Sequence, residues 1–254
     1  MPILQTLDGS LTYDTSGNRT DPAVLLLHGI LGTYQSELAP LAERLALTHY
    51  VVGIDFRMHG RSIAPADAFT MQGLCDDVLA VLNAEGITQA HVVGYSLGGY
   101  VALQLERTAP GSILSIYMHG TKFYWTDAAI NAFTHALDPE VIRAKQPRWA
   151  DRLESLHASQ GTGHWQDLCR AASAMILGLA GHFPEDALAS VTVPVCVSIG
   201  DRDELVPIDE AVALFRALPA GSLAVLPATR HPLPSADADL LAHHVRKHML
   251  RAAI

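Results

Sequence analysis

The amino-acid sequence predicts an α/β fold, with a mostly parallel central sheet, helices on both faces and an inserted helical segment. Short apolar runs alternate with amphipathic stretches along most of the 254 residues, which is typical of parallel strands joined by helices. The run at residues 23–27 is apolar at every position, as expected for a strand covered on both faces. Between residues 122 and about 183 the strand pattern disappears, which predicts that helices interrupt the core.

The predicted strands and helices follow one another along the chain. A hairpin is expected at residues 3–7 and 11–15, because Asp8-Gly9 between them is a turn dipeptide. A helix is predicted at 37–47, where leucines recur on one helical face. Further strands are predicted at 50–54, 91–94, 113–118, 193–199 and 223–226, and further helices at 71–84, 96–108, 209–217 and 237–251.

These patterns predict one core with one insertion. The α/β core is expected at residues 1–121 and 186–254, and a helical cap at residues 122–185. A chain of this length commonly forms one such unit. All three tryptophans, Trp125, Trp149 and Trp165, fall within the predicted cap.

Composition and charge restrict the partners and the compartment. The chain has 26 acidic against 17 basic residues and a net charge of −9, which argues against nucleic acid as a partner because phosphate binding needs a basic surface. No apolar run is long enough to span a bilayer and the first residues carry no signal-peptide pattern, so no membrane partner is expected. Cys75, Cys169 and Cys196 are widely spaced and odd in number, which favours reduced thiols and predicts a cytoplasmic protein.

The segment Gly94-Tyr95-Ser96-Leu97-Gly98 carries the strongest indication of chemistry. It places a serine between two glycines, after a predicted strand and before a predicted helix. A turn of that kind exposes the serine hydroxyl in a strained conformation, and glycine allows the strand and the helix to approach each other. Free N–H groups at the start of the helix favour negative charge beside the serine. The segment therefore predicts a nucleophilic serine.

A nucleophilic serine needs a histidine base and an orienting carboxylate from elsewhere in the chain. With this kind of turn the expected chain order is Ser, then Asp or Glu, then His. Asp201, Asp203 and Glu204 follow a predicted strand, and His231 follows the next one. His119 is a rival base by proximity, but it precedes every candidate acid and is interpreted as lining a pocket or supporting the cap.

The chain resembles the α/β-hydrolase superfamily, in its capped branch of small esterase-like enzymes. The resemblance rests on residues 27–32, 55–62, 94–98 and 200–203 and on His231. Two positions depart from the family pattern, since Met58 and Arg230 stand where glycine is usual.

The resemblance implies a catalytic set of Ser96, Asp203 and His231. It also implies an oxyanion hole formed by the backbone N–H groups of Ile30 and Leu97, with Leu31 as an alternative to Ile30. The loop at residues 55–62 is interpreted as structural support below the site.

The cap is expected to cover an apolar pocket, since small-molecule sites are concave and mostly apolar. Tyr124, Trp125, Trp149 and Trp165 are the predicted pocket residues. No cofactor and no metal are expected, because His244 and His248, four residues apart, have no evident third ligand.

The resulting prediction is a serine hydrolase of the carboxylesterase type, which cleaves a small-molecule carboxylic ester through an acyl-enzyme on Ser96. Lactonase, thioesterase, carbon–carbon bond hydrolase and perhydrolase activities would use the same three residues. A non-catalytic, hydrolase-like ligand-binding protein is the alternative from a different class. The sequence leaves the oligomeric state open between monomer and homodimer.

Overall fold

The computed structural model describes residues 2–179 and 185–252. Eight strands form one sheet in the spatial order β1-β2-β4-β3-β5-β6-β7-β8. The strands are β1 Ile3–Gln5, β2 Ser10–Ser16, β3 Ala23–Leu27, β4 Tyr50–Ile54, β5 Ala90–Tyr95, β6 Ile113–His119, β7 Val195–Gly200 and β8 Gly221–Leu226. β2 pairs antiparallel with β1 and β4, and all pairings from β4 to β8 are parallel. The predicted mostly parallel sheet is therefore confirmed.

Ten α-helices occur within the described residues, and they connect and cover the strands. They are α1 Tyr34–Glu37, α2 Ala39–Leu45, α3 Met71–Ala84, α4 Leu97–Thr108, α5 Asp127–Ala136, α6 Pro139–Lys145, α7 Pro147–Leu156, α8 His164–Leu177, α9 Ile208–Ala217 and α10 Ala238–Ala252. Short 3₁₀ turns lie at Ala66–Ala68, Ala158–Gln160, Glu185–Ser190 and Leu233–Ser235.

The sheet is buried on both faces, as the apolar runs predict. Successive side chains of β3 alternate between two apolar clusters, with Leu25 in one and Leu26 in the other, because strand side chains point to opposite faces. One cluster packs beneath α2 and α10, and the other beneath α3, α4 and α9. Helices thus cover both faces, and the carboxyl ends of the parallel strands meet along one edge.

The helix predicted at residues 37–47 is wrong in its start and in its continuity. The first turn begins at Tyr34, where Thr33 and Ser36 form a capping box. A new helix, α2, then starts after Leu38 with Pro40 in its first turn. Proline lacks the N–H that would continue the preceding helix, so the segment divides into two short helices.

Four helices, α5 to α8, lie between β6 and β7 along the chain and account for most of the predicted cap. Residues 180–184 of that predicted cap lie outside the described residues, so its boundary at residue 185 stays a prediction. None of the helices within the described ranges combines the length and the apolar character that crossing a membrane requires.

Candidate active site

Ser96 lies at the tip of a sharp turn between β5 and α4. Its φ is +49° and its ψ is −112°, a conformation that costs a non-glycine residue energy and that the surrounding packing must maintain. A Cβ on Gly98 would overlap the backbone carbonyl of Leu27, and one on Gly94 would overlap Gly98. Both glycines therefore allow the close approach of strand and helix that holds the turn.

The backbone of Ser96 is fixed by the segment that follows β6. Its N–H donates to the His119 carbonyl at 2.9 Å, and its carbonyl accepts a hydrogen bond from Thr121 Oγ1 at 3.0 Å. Ser96 also precedes the first residue of α4, so the positive end of the helix dipole lies beside its side chain.

Asp203 and His231 form a hydrogen-bonded pair at the same edge of the sheet. His231 Nδ1 lies 2.9 Å from Asp203 Oδ2 and 3.0 Å from Oδ1. Burial alone would raise the pKa of Asp203. The hydrogen bond from His231 and those from the N–H groups of Leu205 and Val206 outweigh burial, so the pKa lies below its usual value. The carboxylate thus stays ionised and orients the imidazole through Nδ1.

The other two candidate acids have different contacts. The Asp201 carboxylate accepts a hydrogen bond from the Thr229 N–H at 3.3 Å, which makes it a loop-bracing residue. Glu204 accepts a weak hydrogen bond from the His231 backbone N–H at 3.4 Å. Of the three acids, Asp203 is the one whose carboxylate contacts the His231 ring.

Gly120 links the Ser96 turn to the Asp203–His231 pair. It lies between His119 and Thr121, the two residues that bond to the Ser96 backbone, and its φ is +60°. A Cβ at this position would lie 3.3 Å from Asp203 Oδ2 and 3.5 Å from His231 Nδ1. The backbone of Gly120 therefore packs directly against the pair, so the pair and Ser96 share one support.

Tyr95 is a second support for His231. Its hydroxyl donates to the His231 carbonyl at 2.9 Å, and the two rings lie 5.6 Å apart. His119 stacks on Tyr95 with ring centroids 6.4 Å apart, and its Nδ1 contacts Ser198 Oγ at 3.0 Å. Burial lowers the pKa of His119 to about 4, so this buried ring is neutral at neutral pH.

The loop after β3 contains Ile30, whose backbone N–H is the second oxyanion donor that the resemblance implies. In the part of the chain that the structure describes, the N–H groups of Ile30 and Leu97 donate to no acceptor. The N–H of Leu31 donates to His59 Nε2 at 3.2 Å, so Leu31 is not available as the alternative donor. His28 braces the loop, since its Nε2 accepts the Phe56 N–H at 2.9 Å and its Nδ1 donates to the Gly29 carbonyl at 2.7 Å.

A small cavity extends from Ser96 beneath the helices between β6 and β7. Its lining residues are Ile30, Ser96, Leu97, Tyr100, Lys122, Trp125, Phe133, Met175, Ile176 and Leu179. Its volume is about 30 Å³, which is small for a ligand pocket.

Trp125 lines this cavity, whereas the other three predicted pocket residues lie elsewhere. Trp165 is 1% exposed and packs within the apolar cluster beneath the Arg143 guanidinium, because its large ring fills the space between cap helices. Trp149 is 36% exposed near the start of α7. Tyr124 packs edge-on against Phe123, and its N–H donates to Glu210 Oε1 at 3.0 Å.

Several residues of the site were not identified from the sequence. Tyr95 was missed although it directly precedes Ser96. Gly120 was also missed, and its position directly after β6 was the available signal. Lys122 lines the cavity and forms an ion pair with Glu210. Nothing in the sequence indicated that pairing, since the two residues are far apart along the chain.

The fold and this arrangement of residues agree with the comparison to known families. The model of the alpha/beta hydrolase fold family matches residues 22–165, which is more than half of the chain. The protein therefore belongs to the α/β-hydrolase family.

Relatives within that family are hydrolases of several kinds. The chain is 26% identical to 3-oxoadipate enol-lactonase 1 of Acinetobacter baylyi over 87% of its length and 86% of that protein. It is 28% identical to a putative carbamate hydrolase, RutD, of Variovorax paradoxus, over 78% and 80% of the two chains. A thermophilic esterase from Thermogutta terrifontis has the same fold, with a TM-score of 0.82, 18% identity and 99% of both chains covered. The two relatives compared by sequence support a hydrolase, and the esterase structure shows the shared fold.

Proposed function

We propose that this protein is a serine hydrolase of small carboxylic esters that works through an acyl-enzyme on Ser96. The observation that carries the proposal is the Asp203–His231 pair, in which Asp203 Oδ2 lies 2.9 Å from His231 Nδ1. The segment at residues 119–121 packs against this pair and also holds the Ser96 turn. Three groups with the required chemistry thus share one edge of the sheet. The buried free cysteines support the cytoplasm as the place of action.

In the proposed mechanism His231 acts as the base. Its Nδ1 donates to Asp203, which leaves Nε2 in the tautomer that accepts the Ser96 proton. Ser96 Oγ then attacks the ester carbonyl, and the alcohol leaves with the proton that His231 returns. Water attacks the resulting acyl-enzyme with His231 again as base, which releases the carboxylic acid and restores Ser96.

The N–H groups of Ile30 and Leu97 are proposed to stabilise the tetrahedral intermediates. Each would donate to the oxygen that becomes negatively charged when Ser96 attacks. Removal of one such donor typically lowers kcat by about 10²–10³-fold. The start of α4 adds a favourable dipole at the same point.

A lactone is the second candidate substrate. A lactone is a cyclic ester and would open through the same steps, and the enol-lactonase relative covers most of the chain. The apolar side chains around the small cavity support a compact, uncharged acyl portion in either case.

The test is hydrolysis of p-nitrophenyl esters of increasing acyl length, together with a series of simple lactones. We expect a short-chain optimum because the cavity is small. Ser96→Ala should lower kcat by at least about 10⁴-fold, while Ser155→Ala, which changes an exposed serine on α7, should match wild type. Ester or lactone hydrolysis that survives in Ser96→Ala would contradict the proposal.

A further inference from the structure

The side chain of Glu37 lies against the loop that supplies the proposed oxyanion donor. Its Oε2 accepts the Gly29 N–H at 2.8 Å. A Cβ on Gly32 would overlap the same carboxyl group, and the Gly32 N–H closes the turn onto the Gly29 carbonyl at 3.2 Å. The carboxyl of Glu37 thus fills the inside of a four-residue turn that contains Ile30.

The surroundings of this carboxyl are mostly apolar. Glu37 lines a cavity of about 140 Å³ between α2, α10 and the loop that follows β8. The other lining residues are Pro40, Leu41, Leu233, Pro234, Ala236, Ala238 and Leu241. Burial raises the pKa of Glu37 to about 8, although the hydrogen bond from the Gly29 N–H acts in the opposite direction. A carboxyl in this position is mostly protonated at neutral pH.

The neighbouring titratable groups do not neutralise Glu37. Tyr95 of β5 packs on Gly29, and burial raises the pKa of its hydroxyl, which keeps it uncharged. The His231 ring lies 5.6 Å from the Tyr95 ring and bonds to Asp203. Arg44 of α2 pairs with Asp239 of α10. Within the described ranges, no ion pair to Glu37 is present.

We propose that Glu37 is a positioning residue for the oxyanion hole and that its ionisation weakens that hole. The neutral carboxyl accepts the Gly29 N–H and shapes the turn without adding charge, which leaves the Ile30 N–H free. Loss of its proton to water places a negative charge on the group that holds the Gly29 N–H, one residue before Ile30, and like charges in a poorly hydrated site repel. This inference rests on the proposed serine hydrolase function.

The inference predicts a fall in kcat at alkaline pH. Repulsion acts on the negatively charged transition state and not on a neutral ester, so kcat changes while KM stays nearly constant. A single charge beside the Gly29–Gly32 turn is expected to lower kcat on the order of 10-fold once the carboxyl is ionised.

The experiment compares Glu37→Gln, Glu37→Ala and a control, Glu43→Gln, from pH 6 to pH 10 with a p-nitrophenyl ester. Glutamine keeps an acceptor for the Gly29 N–H but does not ionise. We therefore expect Glu37→Gln to lack the alkaline fall and to lose less than about 5-fold in kcat at pH 7, a cost in the range of one altered neutral hydrogen bond. Glu37→Ala should lose about 10²-fold at every pH, as for loss of an oxyanion donor. Glu43 is exposed on α2, and Glu43→Gln should keep the wild-type profile.

Two further readouts separate failure of this inference from failure of the proposed function. The rate at which a fluorophosphonate labels Ser96 needs no ester turnover and should show the same alkaline fall, absent in Glu37→Gln. Difference infrared spectra should show a protonated carboxyl band at pH 7 that Glu37→Gln removes. If Glu37→Gln has the same dependence of kcat on alkaline pH as wild type, the proposed role of Glu37 is overturned. That result would leave Ser96 catalysis intact. Ester hydrolysis that does not depend on Ser96 would instead overturn the proposed function.

Discussion

At the scale of single residues, the proposed site depends on backbone conformations that few side chains tolerate. Ser96 has a positive φ and so does Gly120, whose backbone packs on the Asp203–His231 pair. Position 120 has a positive φ, and a side chain there would contact the Asp203–His231 pair. Gly120 therefore affects both the backbone beside the Ser96 turn and the position of the His231 imidazole.

Gly120→Ala is expected to lower kcat by about 10-fold or more. The added Cβ would lie 3.3 Å from Asp203 Oδ2, so the pair must shift by some tenths of an ångström, and small displacements of catalytic groups are costly. The matched control is Gly86→Ala, which has a similar φ of +69° but nothing within 4 Å of the new Cβ. Both variants should lose roughly 1 kcal/mol of stability from the positive φ. Equal kcat values for the two would show that contact with the pair does not matter.

The sequence was informative about residues whose role follows from a motif and its order in the chain. Ser96 and His231 follow from motif and chain order, and the resemblance selects Asp203 among three candidate acids. The structure places Asp203 and His231 in contact. Tyr95 and Glu37 were not found, because their roles depend on which group each side chain meets across the fold. No local spacing records that Tyr95 reaches the His231 carbonyl.

At the scale of elements, the loop after β3 is held to the helical insertion by His157. This residue follows α7 and is 1% exposed. Its Nδ1 accepts the Gly60 N–H at 2.9 Å, and its Nε2 donates to the Leu31 carbonyl at 3.2 Å. The insertion therefore braces the loop that carries Ile30.

His157→Ala is expected to lower both stability and kcat. It leaves a buried N–H and a buried carbonyl without partners, at a cost of about 1–3 kcal/mol each, and it loosens the loop beside the proposed oxyanion hole. His135→Ala, at an exposed position near the end of α5, is the control. Urea denaturation and ester kinetics would measure the two effects. If His157→Ala and His135→Ala both match wild type in stability and kcat, the His157 contacts do not support the loop.

Elements were predicted well where the apolar pattern is continuous. The helix Met71–Ala84 and the strands Ala23–Leu27 and Tyr50–Ile54 occur with the predicted bounds. The helix predicted at residues 37–47 was wrong. The leucine spacing favours one continuous helix, whereas Pro40 divides the segment into two. Its break places Glu37 at the end of a short first helix, against the Gly29–Gly32 turn.

At the scale of the whole molecule, several buried histidines are neutral. Burial lowers the pKa of His28, His91, His119 and His157 to about 4, and that of His59 well below its usual value. Three of them, His28, His59 and His157, use one ring nitrogen as a hydrogen-bond acceptor from a backbone N–H. A protonated ring could not accept those bonds.

The free energy of unfolding is expected to fall as the pH decreases from about 6.5 to about 4. In that window the unfolded chain binds protons on these histidines while the folded protein does not, so stability decreases with decreasing pH. Each fully buried histidine contributes on the order of 3 kcal/mol across the window. Urea denaturation at pH 7.5, 6 and 5 measures the trend. Constant or rising stability over that range would contradict it.

The directions of the side chains in the insertion could not be predicted from the sequence. Trp125 and Trp165 are chemically alike, yet one lines the cavity and the other is buried in the apolar cluster. Which face of a helix meets the cavity is decided by packing among α5, α6, α7 and α8.

The most direct test of the proposed Ser96 mechanism is peptide mapping after treatment with a fluorophosphonate probe that reacts with activated serines. The mechanism predicts one adduct on Ser96 in the wild-type protein and none in Ser96→Ala. Labelling should be slower by at least about 10²-fold in His231→Ala, because the base that activates the serine is absent. An adduct on another residue, or equal labelling rates with and without His231, would contradict the proposed Ser96 mechanism.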